Sequence, residues 1–115
     1  MKIRFQADAD IDPDIRNGLL RRAPSIDFRP AAGTIPDGTL DAEVLRIAAE
    51  DGRGLVSGDL RTMSIHFLGF AATHDSPGVL LIPSSRSIGA AIEGLFFVWL
   101  TWTPEDLRNR VQWLP

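Results

Sequence analysis

The sequence predicts an α/β domain built on a mostly parallel sheet of about four to five strands. Three observations lead there. Short apolar segments alternate along the chain with longer ones of helical period, the order a parallel sheet requires. The run PGVLLIP (77–83) is apolar throughout and bounded by prolines, as expected for a strand buried on both faces. Capping residues stand where several of the helices would begin. At 115 residues, 44% of them hydrophobic and 23% charged, the chain (1–115) is one domain able to bury its own core.

Taken in order, KIRFQA (2–7) alternates, with Ile3, Phe5 and Ala7 on one face, and forms the first strand. Asp12 followed by Pro13 is an N-cap before a residue favoured at the first helical position. A helix is expected from about Pro13 to Ala23, with Ile15, Leu19 and Leu20 facing inward, and Pro24 stops it. SIDFRP (25–30) is a short second strand, and AAGTIPDG (31–38) is a loop rich in turn formers. Thr39 or Asp41 starts the next helix, whose Leu40, Val44, Leu45 and Ala48 share a face; Gly52 ends it.

GLVSGD (54–59) is a third strand running into Gly58 and Asp59, and TMSIHFLGFAA (62–72) is helical. After the fourth strand, 77–83, Ser87 caps a long helix through about Trp102. Thr103-Pro104-Glu105-Asp106 restarts the chain with a second cap and an acidic first turn, and RVQWL (110–114) forms a last edge strand.

Composition removes several classes of function. The absence of cysteine excludes disulfides, thiolate metal sites and cysteine nucleophiles, and suits a reducing cytoplasm. The start, MKIRFQAD, turns acidic before any long apolar run, unlike a secretory signal. The longest apolar stretch, IGAAIEGLFFVWLTW (88–102), is interrupted by Glu93 and too short to span a bilayer, so no membrane partner is expected. Its LFFVWLTW portion has more apolar bulk than one helix face needs. Core packing is the simpler account, and a homodimer seam or partner groove the sharper one. A net charge of −3 argues against binding nucleic acid by bulk electrostatics.

The informative residues are acidic. FQADADIDPDI places aspartates at 8, 10, 12 and 14. On one continuous strand all would share a face and repel, but Pro13 and the cap at Asp12 end the strand near Asp8. Asp12 and Asp14 are then cap and first-turn charge. Asp10 suits an Asx-turn as well as a place at a metal site. A parallel sheet gathers the carboxyl ends of its strands on one edge, where ligand sites form, and so brings Asp8 toward Asp59. An ideal helix would put Asp41 on the opposite edge, although the long 31–40 loop can carry it back.

Three chemistries compete for these acids. An EF-hand loop needs glycine at its sixth position and glutamate at its twelfth; counting from Asp8 gives Pro13 and Leu19, which excludes it. Aspartyl-phosphate chemistry, as in phosphatase-like hydrolases and receiver domains, uses a lysine to hold the phosphoryl group, and Lys2 is the sole lysine. Mg²⁺ or Mn²⁺ needs only oxygen ligands, keeps several waters, and polarises a phosphodiester.

Here the chain resembles a family. FQADADIDPDI, DAEVLRIAAEDGRGLVSGD, PGVLLIP, SIGAAIEGL and TPEDLRNRVQWLP are similar, in that order, to the landmarks of small PIN-like domains of uncharacterised type, relatives of the PIN nucleases. The resemblance covers nearly the whole chain. It implies a PIN-like three-layer α/β/α fold and a metal-dependent endoribonuclease activity, as in VapC-type toxins, with RNA as substrate and a small antitoxin-like protein as partner. By matching positions it implies that Asp8, Asp41 and Asp59 are catalytic, that these three and Asp10 hold Mg²⁺ or Mn²⁺, and that Glu43 can stand in for Asp41.

The chain departs from the family at Ala9, where glutamate is usual, at Asp10, where asparagine is usual, and at Arg61, where a second acid commonly stands. Arg61 motivates the alternative of a catalytically inactive PIN-like interaction module. Arg61, Thr62 and Arg22 are the candidates for substrate binding, with Arg21 and Arg53 as further basic residues. Ser57 and Thr62 can support the acids by hydrogen bonds. His66 and His74 are spaced as surface histidines rather than as a metal pair.

Overall fold

The computed structural model describes residues 1–115, except for the side chain of Leu60. Ten elements follow one another: β1 (Phe5–Ala7), α1 (Pro13–Arg22), β2 (Phe28–Arg29), α2 (Asp41–Glu50), β3 (Gly54–Ser57), α3 (Leu60–Ala71), β4 (Val79–Leu81), α4 (Ile88–Thr101), α5 (Pro104–Leu107) and β5 (Val111–Trp113). The five strands form one parallel sheet in the order β2-β1-β3-β4-β5. Phe5 pairs with Phe28 on one side and Gly54 on the other, and Leu55 with Val79, which in turn pairs with Val111.

Alternation of side chains across the strands divides the core into two halves. Phe5, Ala7, Val56 and Leu80 face one side, where they pack with Ile15 and Leu19 of α1 and with Ala91, Leu95 and Val98 of α4. Leu55, Val79 and Leu81 face the other, against Val44, Leu45 and Ala48 of α2 and Met63 and Phe67 of α3. The fold is therefore an α/β domain with helices on both faces of a parallel sheet, as the alternation of elements predicts. The β4-to-β5 connection passes over the α1 face. It moves along the sheet in the same direction as the crossovers through α2 and α3, so its hand is opposite to theirs. Placing α4 there covers a face that α1 alone would leave half open.

The helix boundaries follow their local signals. The Asp12 side chain accepts from the Asp14 N–H and Pro13 opens α1, while Ser87 caps α4 through the Ala90 N–H. At the start of α5 the Asp106 carboxylate accepts from the Thr103 N–H (2.8 Å) and hydroxyl (3.2 Å), the acidic half of a capping box. The helix expected over 62–72 begins earlier, at Leu60, because Asp59 leaves the strand and caps it through the Thr62 N–H. Of the segment 25–30 only Phe28–Arg29 pairs as a strand. No helix among the described residues is long and apolar enough to cross a membrane.

Candidate functional site at the carboxyl edge of the sheet

From β1 the chain crosses to β2 on one side, then returns over β1 to place β3 on the other. This reversal opens a crevice at the carboxyl ends of β1 and β3, the usual ligand position in a doubly wound sheet. Asp8 follows β1 there, and Gly58 and Asp59 follow β3.

Asp8 is held by its surroundings on every side. Its N–H continues the ladder by donating to the Val56 carbonyl (2.9 Å), and its carbonyl accepts from the Ile11 N–H (3.1 Å). One carboxylate oxygen accepts from the Ala9 N–H (2.7 Å) and the other from the Ser57 hydroxyl (2.9 Å). The Ser57 oxygen in turn accepts from the Asp59 N–H (3.1 Å), so one hydroxyl links the two strand ends. Asp8 is only 7% exposed. Burial pushes its carboxyl above the ordinary carboxylate range, and the charges of Asp41 and Asp59 add to the effect against the two hydrogen bonds.

Asp10 makes its main contact outside its own turn. Its carboxylate reaches across to accept from the Gly58 N–H (3.1 Å) and ties the loop after β1 to the loop after β3. A side chain at position 58 would bring a Cβ to 3.1 Å from that carboxylate, so glycine lets the acid approach. Although Asp10 is exposed overall, partial desolvation of its carboxyl where it meets the Gly58 loop raises it too, helped by the charges of Asp8 and Asp59. Asp59 shifts the other way: the Thr62 hydroxyl and N–H both donate to it, and Arg61 lies close enough to contribute its charge.

Asp41 opens α2 on this same edge, close enough for its charge to act on Asp8. The expectation that an ideal helix would carry it to the far edge is thus corrected. In a parallel β-α-β unit the helix starts where the preceding strand ends, so its N-terminus belongs to the carboxyl edge. Asp41 and Asp59 line a shallow groove of about 320 Å³ together with Thr62 and His66. His66 was not singled out by its spacing to His74, but Asp59, Thr62 and His66 follow one another at three and four residues, which puts them on one side of α3.

The basic candidates divide. Arg61 is exposed beside Asp59. Arg22 ends α1, on the edge away from the acids; it pairs with Glu93 and lies 4.4 Å from the centre of the Phe96 ring. Arg53 is buried, donating to Asp27, Asp51 and the Phe5 carbonyl, and has no surface to offer a phosphate. Both lie outside the acidic crevice, because a guanidinium that ends a helix or opens a strand in this topology belongs to the amino edge.

Comparison with protein-family models, characterised proteins and solved structures returns no match. What the crevice can do must be read from its own residues. Among the described residues, Asp27, Glu43, Glu50, Asp51, Asp75 and Glu93 each pair with an arginine, whereas Asp8, Asp10, Asp41 and Asp59 do not; the other unpaired acids, Asp12, Asp14, Asp37, Glu105 and Asp106, stand at helix starts or in the 31–40 loop. The four together outweigh the net charge of −3, so the rest of the molecule is nearly balanced. Their donor chemistry, hard oxygens only, fits Mg²⁺ or Mn²⁺. Among the described residues no three acidic or histidine side chains close on one point as a ready-made cage. An ion at this edge would therefore have at most one or two carboxylate ligands from the chain, with waters filling the rest of its shell.

Proposed function

We propose that the protein is a PIN-like, metal-dependent endoribonuclease, the toxin-like half of a two-gene module whose other product is a small antitoxin-like protein. One observation carries the reading: at the switch point of a doubly wound sheet stand four carboxylates without an ionic partner, near enough for their charges to act on one another, and one of them is almost wholly buried. Holding a carboxylate out of water beside like charges costs stability, and a fold retains such a group where a cation or a reaction needs it.

In this reading Asp8 and Asp59 hold Mg²⁺ or Mn²⁺, with Asp41 and Asp10 completing the surroundings. The ion supplies a polarised phosphodiester and a bound water of lowered pKa. The chain does the positioning. Ser57 fixes the Asp8 carboxylate and the Asp59 backbone relative to each other, Asp10 locks the two loops that carry them, and Thr62 orients the Asp59 carboxylate. Arg61, exposed at the rim, meets the RNA backbone. Because the acids repel a bare phosphate, substrate binding is expected to require the divalent ion.

Arg61 beside Asp59 favours a second reading, an inactive PIN-like interaction module, since its charge occupies the place of a further acid. The two separate in one experiment: cleavage of mixed RNA in Mn²⁺ by the wild type and by Asp8→Asn, with calorimetric titration of Mn²⁺ into each. The nuclease reading expects cleavage and metal binding that Asp8→Asn abolishes. A wild-type chain that neither cleaves RNA nor binds Mn²⁺ overturns it.

A further inference from the structure

A second cleft, of about 400 Å³, opens on the same edge between the start of α1 and the 30–37 loop. It lies beside the acids without containing them: Ala7 and Ala9, the chain neighbours of Asp8, both line it. The wall is apolar and built from compact side chains, chiefly Ala7, Ile11, Pro30 and Ile35. It is also preformed. Ile35 is buried in the core beneath α2 and α3, and the N–H groups of Thr34 and Ile35 both donate to the Ala31 carbonyl (2.9 and 2.7 Å). Two polar side chains face this wall from α1. Arg16 donates through Nε to the Phe28 carbonyl (2.6 Å), which fixes the guanidinium while its two Nη groups have no protein acceptor among the described residues. The Asn17 amide likewise has no protein partner among them.

We propose that this cleft receives the nucleoside part of one ribonucleotide, its base against the apolar wall and its edge or ribose at Arg16 and Asn17. The phosphate is then directed toward the turn carrying Asp8 and Asp10. A preformed cleft with an apolar wall and a hydrogen-bonding rim suits a neutral body with one apolar face and polar edges, and its size is that of a small-molecule site rather than a groove for a duplex. The charge of Asp12 and Asp37 at the rim, against Arg16 alone, disfavours a free polyanion. The choice of a ribonucleotide rests on the proposed nuclease reading; the fit of a nucleoside to the cleft does not.

The test uses the metal-free wild-type chain and the four ribonucleosides, which lack phosphate, so that neither metal nor cleavage enters. Amide NMR shifts are followed during titration. Saturable shifts confined to residues 9–17 and 30–37 are expected with at least one nucleoside, at millimolar affinity, and Asn17→Ala, an exposed change, weakens that binding about fivefold. No saturable shift with any nucleoside up to about 10 mM overturns the proposal. Shifts centred elsewhere, or undiminished in Asn17→Ala, overturn it equally. Loss of the nuclease reading leaves this result standing, and failure here leaves the cleavage experiment untouched.

Discussion

Replacing Asp8 by asparagine should make the protein more stable, because the wild-type side chain is a buried charge among like charges. The substitution keeps the shape. The asparagine oxygen still accepts from the Ala9 N–H, and its amide donates to the Ser57 oxygen, whose hydroxyl proton turns away. What is lost is the extra strength of hydrogen bonds to an ionised acceptor, about 1 kcal/mol. What is gained is release from desolvation and from the repulsion of Asp10, Asp41 and Asp59, on the order of 2 kcal/mol after allowance for relaxation.

The net expectation is a gain of about 1 kcal/mol at pH 7, or roughly 4 °C in Tm for a domain of this size. The pH dependence gives the sharper check. The folded Asp8 carboxyl lies above its ordinary value of 3.8, so its charging costs the folded state more than the unfolded one. That cost is absent below the unfolded value, grows as pH rises toward the folded value, and is complete above it. Urea unfolding followed by tryptophan fluorescence should show the two proteins equal near pH 3 and separated at pH 7. An Asp8→Asn protein less stable than wild type at pH 7, or a difference independent of pH, would refute the electrostatic account of the crevice.

Further outcomes follow from the packing. Arg53→Met should cost about 2 kcal/mol, since it removes the donor to Asp27, Asp51 and the Phe5 carbonyl. Arg53 holds the Asp27 and Asp51 carboxyls below their ordinary range, so that stabilisation is present above the unfolded value of 3.8 and fades as pH falls through the folded ones; the variant and wild type should converge in acid denaturation curves. Leu95→Ala, in the core beneath α4, should cost about 3 kcal/mol in urea unfolding, whereas Leu100→Ala, on the exposed side of the same helix, should change it by less than about 0.5 kcal/mol. Gly78→Ala should be among the most damaging single changes, at least about 3 kcal/mol. The backbone there has φ +95°, and an added Cβ would overlap the Leu107 carbonyl. A soluble Gly78→Ala protein of near wild-type Tm would contradict that geometry.

Much of the fold was legible because its signals are local. Caps at Asp12, Ser87 and Thr103, prolines at helix starts, and the uninterrupted apolar run ending near Ile82 each act within a few residues, and each stands where an element begins or lies buried. The alternation of strands and helices then leaves a parallel sheet as the economical arrangement. The opening aspartates were separable for the same reason: Asp12 caps α1 and Asp14 sits in its first turn, while Asp8 ends the ladder.

What tertiary structure alone decided is which distant groups meet. Nothing local shows that Asp10 would reach Gly58, that Ser57 would bridge Asp8 to the Asp59 backbone, or that His66 would border a groove with Asp41. The same holds for the arginines, alike in sequence, of which Arg53 is buried in ion pairs, Arg22 joins α1 to α4, and Arg61 stays at the rim. Burial and pairing are properties of strand order. The return of the chain over β1 brings two acidic strand ends side by side, and it sets a preformed cleft against them.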